Sequence, residues 1–118
     1  MHSDVAGDID VLVDDAVYTE APRWHDGALW FSDIGAGKVR RVWLDGRQET
    51  VLSGMTTPSG LGWTPSGDLL VATIEESAIY RVGPDRIPRL FCPRERHGVV
   101  GTNDMATAGS RSYVTCSG

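Results

Sequence analysis

The chain has 118 residues, with 16 Asp+Glu against 11 Lys+Arg and a formal net charge of −5. Residues 1–20 hold six of the acids and no Lys or Arg, so there is no basic patch for nucleic acid, and no stretch approaches the roughly 18 apolar residues of a membrane span. Fourteen glycines and six prolines demand many turns, which suits an all-β chain better than a helical bundle.

The opening MHSDVAGD has neither the basic nor the apolar region of a signal peptide, and the expectation is a cytoplasmic protein. Val11-Leu-Val13 followed by Asp14-Asp15 reads as a strand and a turn. A strand ending at Trp24-His25 then meets the turn Asp26-Gly27, and Leu29-Trp-Phe31 is the returning strand. Gly35-Ala-Gly37 is a loop, Lys38–Val42 a strand and Asp45-Gly46 a second turn. The grammar then repeats: Trp63, the turn Ser66-Gly67, Leu69-Leu-Val71, the loop Glu75-Glu-Ser77, the strand Ala78–Val82 and the turn Pro84-Asp85. Arg94–His97 reads as a polar loop. A weaker third copy runs from Met105 through Ala108-Gly109 to Tyr113-Val114. Glycine marks these turns because it takes a positive φ without a Cβ clash. No long helical stripe interrupts the pattern.

The spacing is regular: Gly27 to Gly67 is 40 residues and Gly67 to Gly109 is 42. Four short strands per ~40–45 residues is the arithmetic of a β-propeller blade. The predicted fold is therefore all-β, built of four-stranded antiparallel blades, with repeats over roughly 15–57, 58–101 and an incomplete 102–118. The last segment is expected to stop one strand into its blade. A closed propeller takes 4–8 blades, and 118 residues make fewer than three. An open arc leaves apolar flanks uncovered, and self-association is the expected consequence.

Several residues stand out within this frame. Trp24 and Trp63 occupy equivalent places before their turns and are expected to pack between blades, as are Phe31, Leu44 and Leu61. Ser59 and Gly60, after Pro58, either line a central channel or make a tight start to a strand. Asn103-Asp104, taken alone, reads as a turn or cap, with Asp104 structural. Asp33 follows a strand and reads as a bend residue, with a channel role as the alternative. His25 is expected to be solvated in its turn, and His97 to sit on a rim. Cys92 and Cys116 have no metal-like spacing and read as two reduced thiols. No G-x-S-x-G context surrounds Ser59, and no phosphate loop or dinucleotide fingerprint occurs.

The string Glu20-Ala-Pro-Arg-Trp24-His-Asp-Gly27, followed by Leu29-Trp-Phe-Ser-Asp33-Ile34, resembles the gluconolactonase, regucalcin and luciferin-regenerating-enzyme family of six-bladed propellers. Val42-Trp-Leu-Asp-Gly46, Pro58-Ser-Gly-Leu-Gly62, Pro65-Ser-Gly-Asp-Leu-Leu70 and Asn103-Asp-Met105 continue it in the family's order, over roughly residues 15 to 118. The resemblance implies a metal-dependent lactone hydrolase, or the N-terminal part of one, acting on a small-molecule lactone such as a sugar-acid lactone. It implies Glu20 as a metal ligand and Asn103 as a ligand that also faces the substrate. The metal would be calcium first, with zinc or magnesium as alternatives. The substrate-holding Arg of several members falls at Gly101 here, a departure. The family's other metal-binding Asn, and the Asp that serves as base, belong to later blades, beyond residue 118. A non-catalytic binding scaffold and a non-functional truncated remnant are the competing expectations.

Overall fold

The computed structural model describes residues 13–98 and 100–116. Val11 and Leu12, and with them most of the first expected strand, lie outside the described residues. The described residues are all-β: ten strands make three antiparallel sheets, with one short helix between the second and third. β1 (Thr19–His25), β2 (Ala28–Asp33), β3 (Lys38–Val42) and β4 (Gln48–Leu52) form the first sheet in that order. β5 (Pro58–Trp63), β6 (Leu69–Thr73), β7 (Ala78–Val82) and β8 (Pro88–Cys92) form the second in the same meander. α1 (Arg94–His97) leads to the third sheet, which consists of β9 (Thr102–Ala108) and β10 (Arg111–Cys116).

Two of these elements correct the sequence reading. The third unit contributes two strands, not one, because the polar Thr102–Ala108 pairs along its length with β10. Its polar composition weakened the sequence signal there, while the backbone ladder needs no apolar side chains. The expected polar loop at Arg94–His97 is a single helical turn closed by Gly98, whose φ of +70° gives the left-handed C-terminal cap.

Local chemistry explains the hairpins. His25 faces Ala28 across the two-residue turn Asp26-Gly27, where φ is +49° and +73°. Two consecutive positive φ values define the mirror-image turn that matches strand twist, which is why Asp-Gly stands there. The second strand of each full sheet opens on a run of four apolar residues. β6, Leu69-Leu-Val-Ala-Thr73, is buried at every position, as expected of a strand covered on both faces.

β5 lies between β1 on one side and β9 on the other, so the three sheets fan out from their first strands. Between the first and second sheets sits one apolar cluster, with Trp30, Val39, Leu52, Leu61, Leu69 and Val71 at its centre. Between the second and third sheets the buried apolar set is only Leu70, Ala72 and Met105.

The expectations for bulky residues divide along these seams. Leu61 is wholly buried between sheets and Trp63 packs there too. Phe31 is buried, but under the Arg40 guanidinium, 5.4 Å from its ring. Trp24 is 59% exposed and Leu44 72% exposed, contrary to expectation. Trp24 pairs with Leu29, one residue out of step with Ser32 and Trp30, and so lies on the face turned from the second sheet. Leu44 sits in the β3–β4 turn. Cys92 and Cys116 are free thiols. Among the described residues no helix is long and apolar enough to cross a membrane.

Candidate functional site

The first strands of the three sheets begin in the same register. Thr19 stands opposite Asp33, Pro58 opposite Thr73, and Thr102 opposite Cys116. The next residue on each strand is Glu20, Ser59 and Asn103. Each ladder then shifts register, between Glu20 and Arg23 of β1, between Pro58 and Leu61 of β5, and between Thr102 and Met105 of β9, which face Cys116 and Val114 of β10. Residues that were 39 and 44 positions apart in sequence thus occupy one rung of three adjacent strands.

A chain of hydrogen bonds runs along this rung. Ser32, fully buried, donates through Oγ to Ser59 O at 2.5 Å. Ser59 Oγ in turn donates to Asn103 Oδ1 at 2.6 Å. Ser59 is 1% exposed and Asn103 half-buried. Glu20 pairs with Ser32 across the β1–β2 ladder and therefore shares its face, the one that looks onto β5. Glu20 is half-buried, and among the described residues its carboxylate makes no hydrogen bond or ion pair.

Gly60 explains why the strands can lie so close. A Cβ there would stand 2.4 Å from Asn103 O and 2.7 Å from Met105 N, so only glycine lets β9 pack against β5. Of the two readings of Ser59 and Gly60, the close approach of β9 to Gly60 supports the tight start to β5. Thr102 Oγ1 adds a bond from β9 to Thr73 O at 2.7 Å.

The other singled-out residues take structural places. Asp33 is 1% exposed and accepts from the main-chain N–H of Val17 and Tyr18 at 2.9–3.2 Å. Burial pushes its carboxyl up, but those N–H groups, that of Ala36 and the Arg40 charge outweigh it, and the net shift is downward. Asp104 forms an ion pair with Arg23 at 2.5 Å. His25 is not a solvated turn residue: it ends β1, and its ring stacks on Trp63 at 3.8 Å with 13° between planes. His97 is half-buried, with Nε2 2.8 Å from Ser77 O, because the α1 turn brings it back over the β6–β7 loop. Gly101 holds φ at +70° and donates its N–H to Ser77 Oγ at 2.7 Å. An Arg at that position would be strained, which gives the departure a conformational reason.

Sequence reasoning missed Arg23. Its only signal was a long cation in the variable position of Glu20-Ala-Pro-Arg-Trp24; it is the first residue to pair again after the bulge.

The fold is that of a β-propeller built from successive four-stranded blades. The family model of the SMP-30/Gluconolactonase/LRE-like region matches residues 18–116. The chain belongs to that family. Among solved structures it is similar to a gluconolactonase from Xanthomonas campestris described as important in glucose secondary metabolic pathways, with 22% identity and a TM-score of 0.72. The match covers 82% of this chain and 34% of that one, so the chain spans about a third of the matched protein's length. A comparison with curated proteins gives no match.

Proposed function

We propose that the chain carries the first part of a metal-dependent lactone-hydrolysing site, with Glu20 and Asn103 as the ligands it contributes. The observation that carries this reading is their shared rung on first strands that lie on either side of β5. The donor chemistry fits a hard divalent cation. Glu20 offers two carboxylate oxygens, and Asn103 Oδ1 keeps a lone pair beyond the one that accepts from Ser59. Calcium takes 6–8 oxygen ligands, and among the described residues no group of three or more His, Cys, Asp or Glu gathers, so these residues supply only part of a coordination sphere. Calcium suits the donors best, with zinc or magnesium as alternatives. When bound, such a cation supplies Lewis-acid polarisation of a carbonyl and a more acidic water.

The chain's own residues do the rest of the local work. Ser59 fixes the amide plane of Asn103, so that Oδ1 is held where a ligand or a lactone hydroxyl can use it. Ser32 fixes the β5 backbone from which Ser59 projects. The substrate class is a small aldonolactone, in keeping with the family and with the gluconolactonase to which the chain is similar. The test is hydrolysis of glucono-lactone with calcium, zinc or magnesium, before and after chelation, paired with calcium titration of the wild type and Glu20→Gln. The expected result is calcium uptake that Glu20→Gln abolishes. No cation uptake by the wild type would sink the reading.

A second reading, a non-catalytic binding scaffold, draws on the exposure of Leu90 and Phe91 on β8 and Tyr113 on β10. It expects Glu20→Ala to leave cation binding and stability unchanged.

A further inference from the structure

Asn103 is held from three directions. Two holds come from the second sheet: Ser59 Oγ donates to its Oδ1 at 2.6 Å, and its neighbour Thr102 donates to Thr73 O at 2.7 Å. The third comes from the first sheet. Arg23 Nη2 donates to Asp104 Oδ1 and to Met105 O, each at 2.5 Å. Nη1 donates back to Pro22 O on its own strand at 2.8 Å. One guanidinium thus ties β1 to β9 across 81 and 82 residues of sequence.

Both ends of this link are anchored. Asp104 Oδ1 also accepts from Met105 N at 2.8 Å, and its own N–H reaches Thr115 Oγ1 on β10 at 3.2 Å. Arg23 pairs with Trp30 and Glu20 with Ser32, two apart on β2, so Arg23 and Glu20 share the face towards β5. β9 comes within reach because β5 carries Gly60 and Gly62. A Cβ on Gly62 would lie 2.7 Å from Thr107 Cγ2 and 2.8 Å from Met105 Sδ.

We propose that Arg23 is a positioning residue: its guanidinium clasps β9 to β1 and thereby fixes Asn103 relative to Glu20. Its consequence for cation binding rests on the proposed function; the clasp itself does not. The chemistry asks for arginine in particular. Its planar fork presents donors in fixed directions, whereas a lysine is a single flexible point charge. The pair is only partly covered, with side chains 29% and 53% exposed, so solvent screens it and it stabilises the fold little. Its work is geometric.

The test uses the whole chain and two readouts. The first, without added cation, is the Asn103 side-chain amide signal in proton–nitrogen NMR spectra of the wild type, Arg23→Met, Asp104→Asn and the double variant. The signal is expected to move alike in all three variants, and to stay put in Arg47→Met, whose guanidinium lies over the Trp43 ring at 4.2 Å in the first sheet's β3–β4 turn. Asp104→Asn weakens the same link from the other end, by removing the carboxylate charge while the Met105 O acceptor stays, should Arg23→Met fail to fold. The second readout is calorimetric titration with calcium chloride, in which Arg23→Met is expected to weaken binding about tenfold. An unmoved Asn103 signal in both Arg23→Met and Asp104→Asn overturns the clasp. If the signal moves but the wild type takes up no calcium, the clasp stands and the cation reading fails. If the wild type and Arg23→Met bind calcium equally tightly, the positioning role is overturned.

Discussion

The two seams between sheets solve the same packing problem with different chemistry. The first seam, between β1–β4 and β5–β8, is apolar and aromatic. Trp30 and Trp63 meet edge to face at 5.3 Å, His25 stacks on Trp63, and Leu61 and Val71 are wholly covered. The second seam, between β5–β8 and β9–β10, has three buried apolar residues and is joined mainly by hydrogen bonds from Ser59 and Thr102 and by glycine close approach. Both keep a cavity, of about 310 Å³ and about 270 Å³, so empty volume does not separate them. The distinction is between a seam that derives its strength from area removed from water and one that derives precision from directional bonds worth only about 1 kcal/mol each. The candidate ligand Asn103 sits on the precise seam, and the bulk of the stability sits on the other.

The sharpest way to break this contrast is to empty each seam in turn. Leu61→Ala should cost about 3–5 kcal/mol, since the side chain is fully buried between two complete sheets that cannot both collapse onto the void. Met105→Ala should cost less, about 2–3 kcal/mol, because it already borders the second seam's cavity. Urea denaturation followed by Trp fluorescence measures both. Equal losses would show that the second seam carries as much packing energy as the first.

Next comes the close approach. Gly60→Ala places a Cβ where the Asn103 carbonyl now lies, and backbone cannot yield as a side-chain end does. The expected cost is about 1–3 kcal/mol. Its signature is regional: hydrogen exchange should accelerate in β9 and β10 and stay unchanged in β1–β4. Faster exchange throughout would show that the two seams do not separate energetically.

The contrast also marks what could be read from sequence. The forty-residue period, the Asp26-Gly27 and Ser66-Gly67 turns and the apolar second strands were legible, because each depends on local pattern. Trp63 was legible as seam packing, but Trp24, its equivalent, was not. The two pair with equivalent residues, Leu29 and Leu69, and differ in what faces them, which no local pattern encodes. The extent of β9 was less legible, because only Thr102 and Met105 of TNDMATA are buried and the strand is held mainly by its ladder and by Thr102, Asn103 and Asp104 bonding outward. Glu20 and Asn103 were visible only through the family resemblance. Their common rung depends on bulges, which shift register by a residue and leave no reliable trace in sequence. Arg23 could not be read at all, since its partners lie two sheets away.

A smaller effect probes the start of the first sheet through pH. Asp33 is ionised more easily in the folded chain than in the unfolded one, because the N–H groups of Tyr18 and Val17 favour its charged form. A carboxyl with a depressed folded pKa contributes stability that is complete above its unfolded value and is lost as pH falls through the folded one. The window therefore opens at about pH 4 and extends downward. Asp33→Asn should lower stability at neutral pH and flatten this acid limb, as measured by urea midpoints between pH 2 and 7. An acid limb unchanged in Asp33→Asn would mean that other carboxylates set it.

The smallest expected effect tests whether the aromatic seam owes anything to His25. The imidazole stacks on Trp63 and meets Trp30 edge-on at 5.7 Å, while Trp30 Nε1 donates to the His25 main-chain oxygen at 2.9 Å. That last bond survives a side-chain change, so His25→Ala removes the two ring contacts and the imidazole's contact with Asp26. An aromatic pair adds about 0.5–1.5 kcal/mol beyond its buried area, and the loss should fall near 1 kcal/mol, well below that of Leu61→Ala. Replacing the ring by phenylalanine keeps the stack and discards the 3.3 Å contact with the Asp26 carboxylate. If His25→Phe restores what His25→Ala loses, the first seam is held by ring area. If it does not, the polar edge of the imidazole matters there too, and the division between an apolar seam and a directional one is less clean than the buried residues suggest.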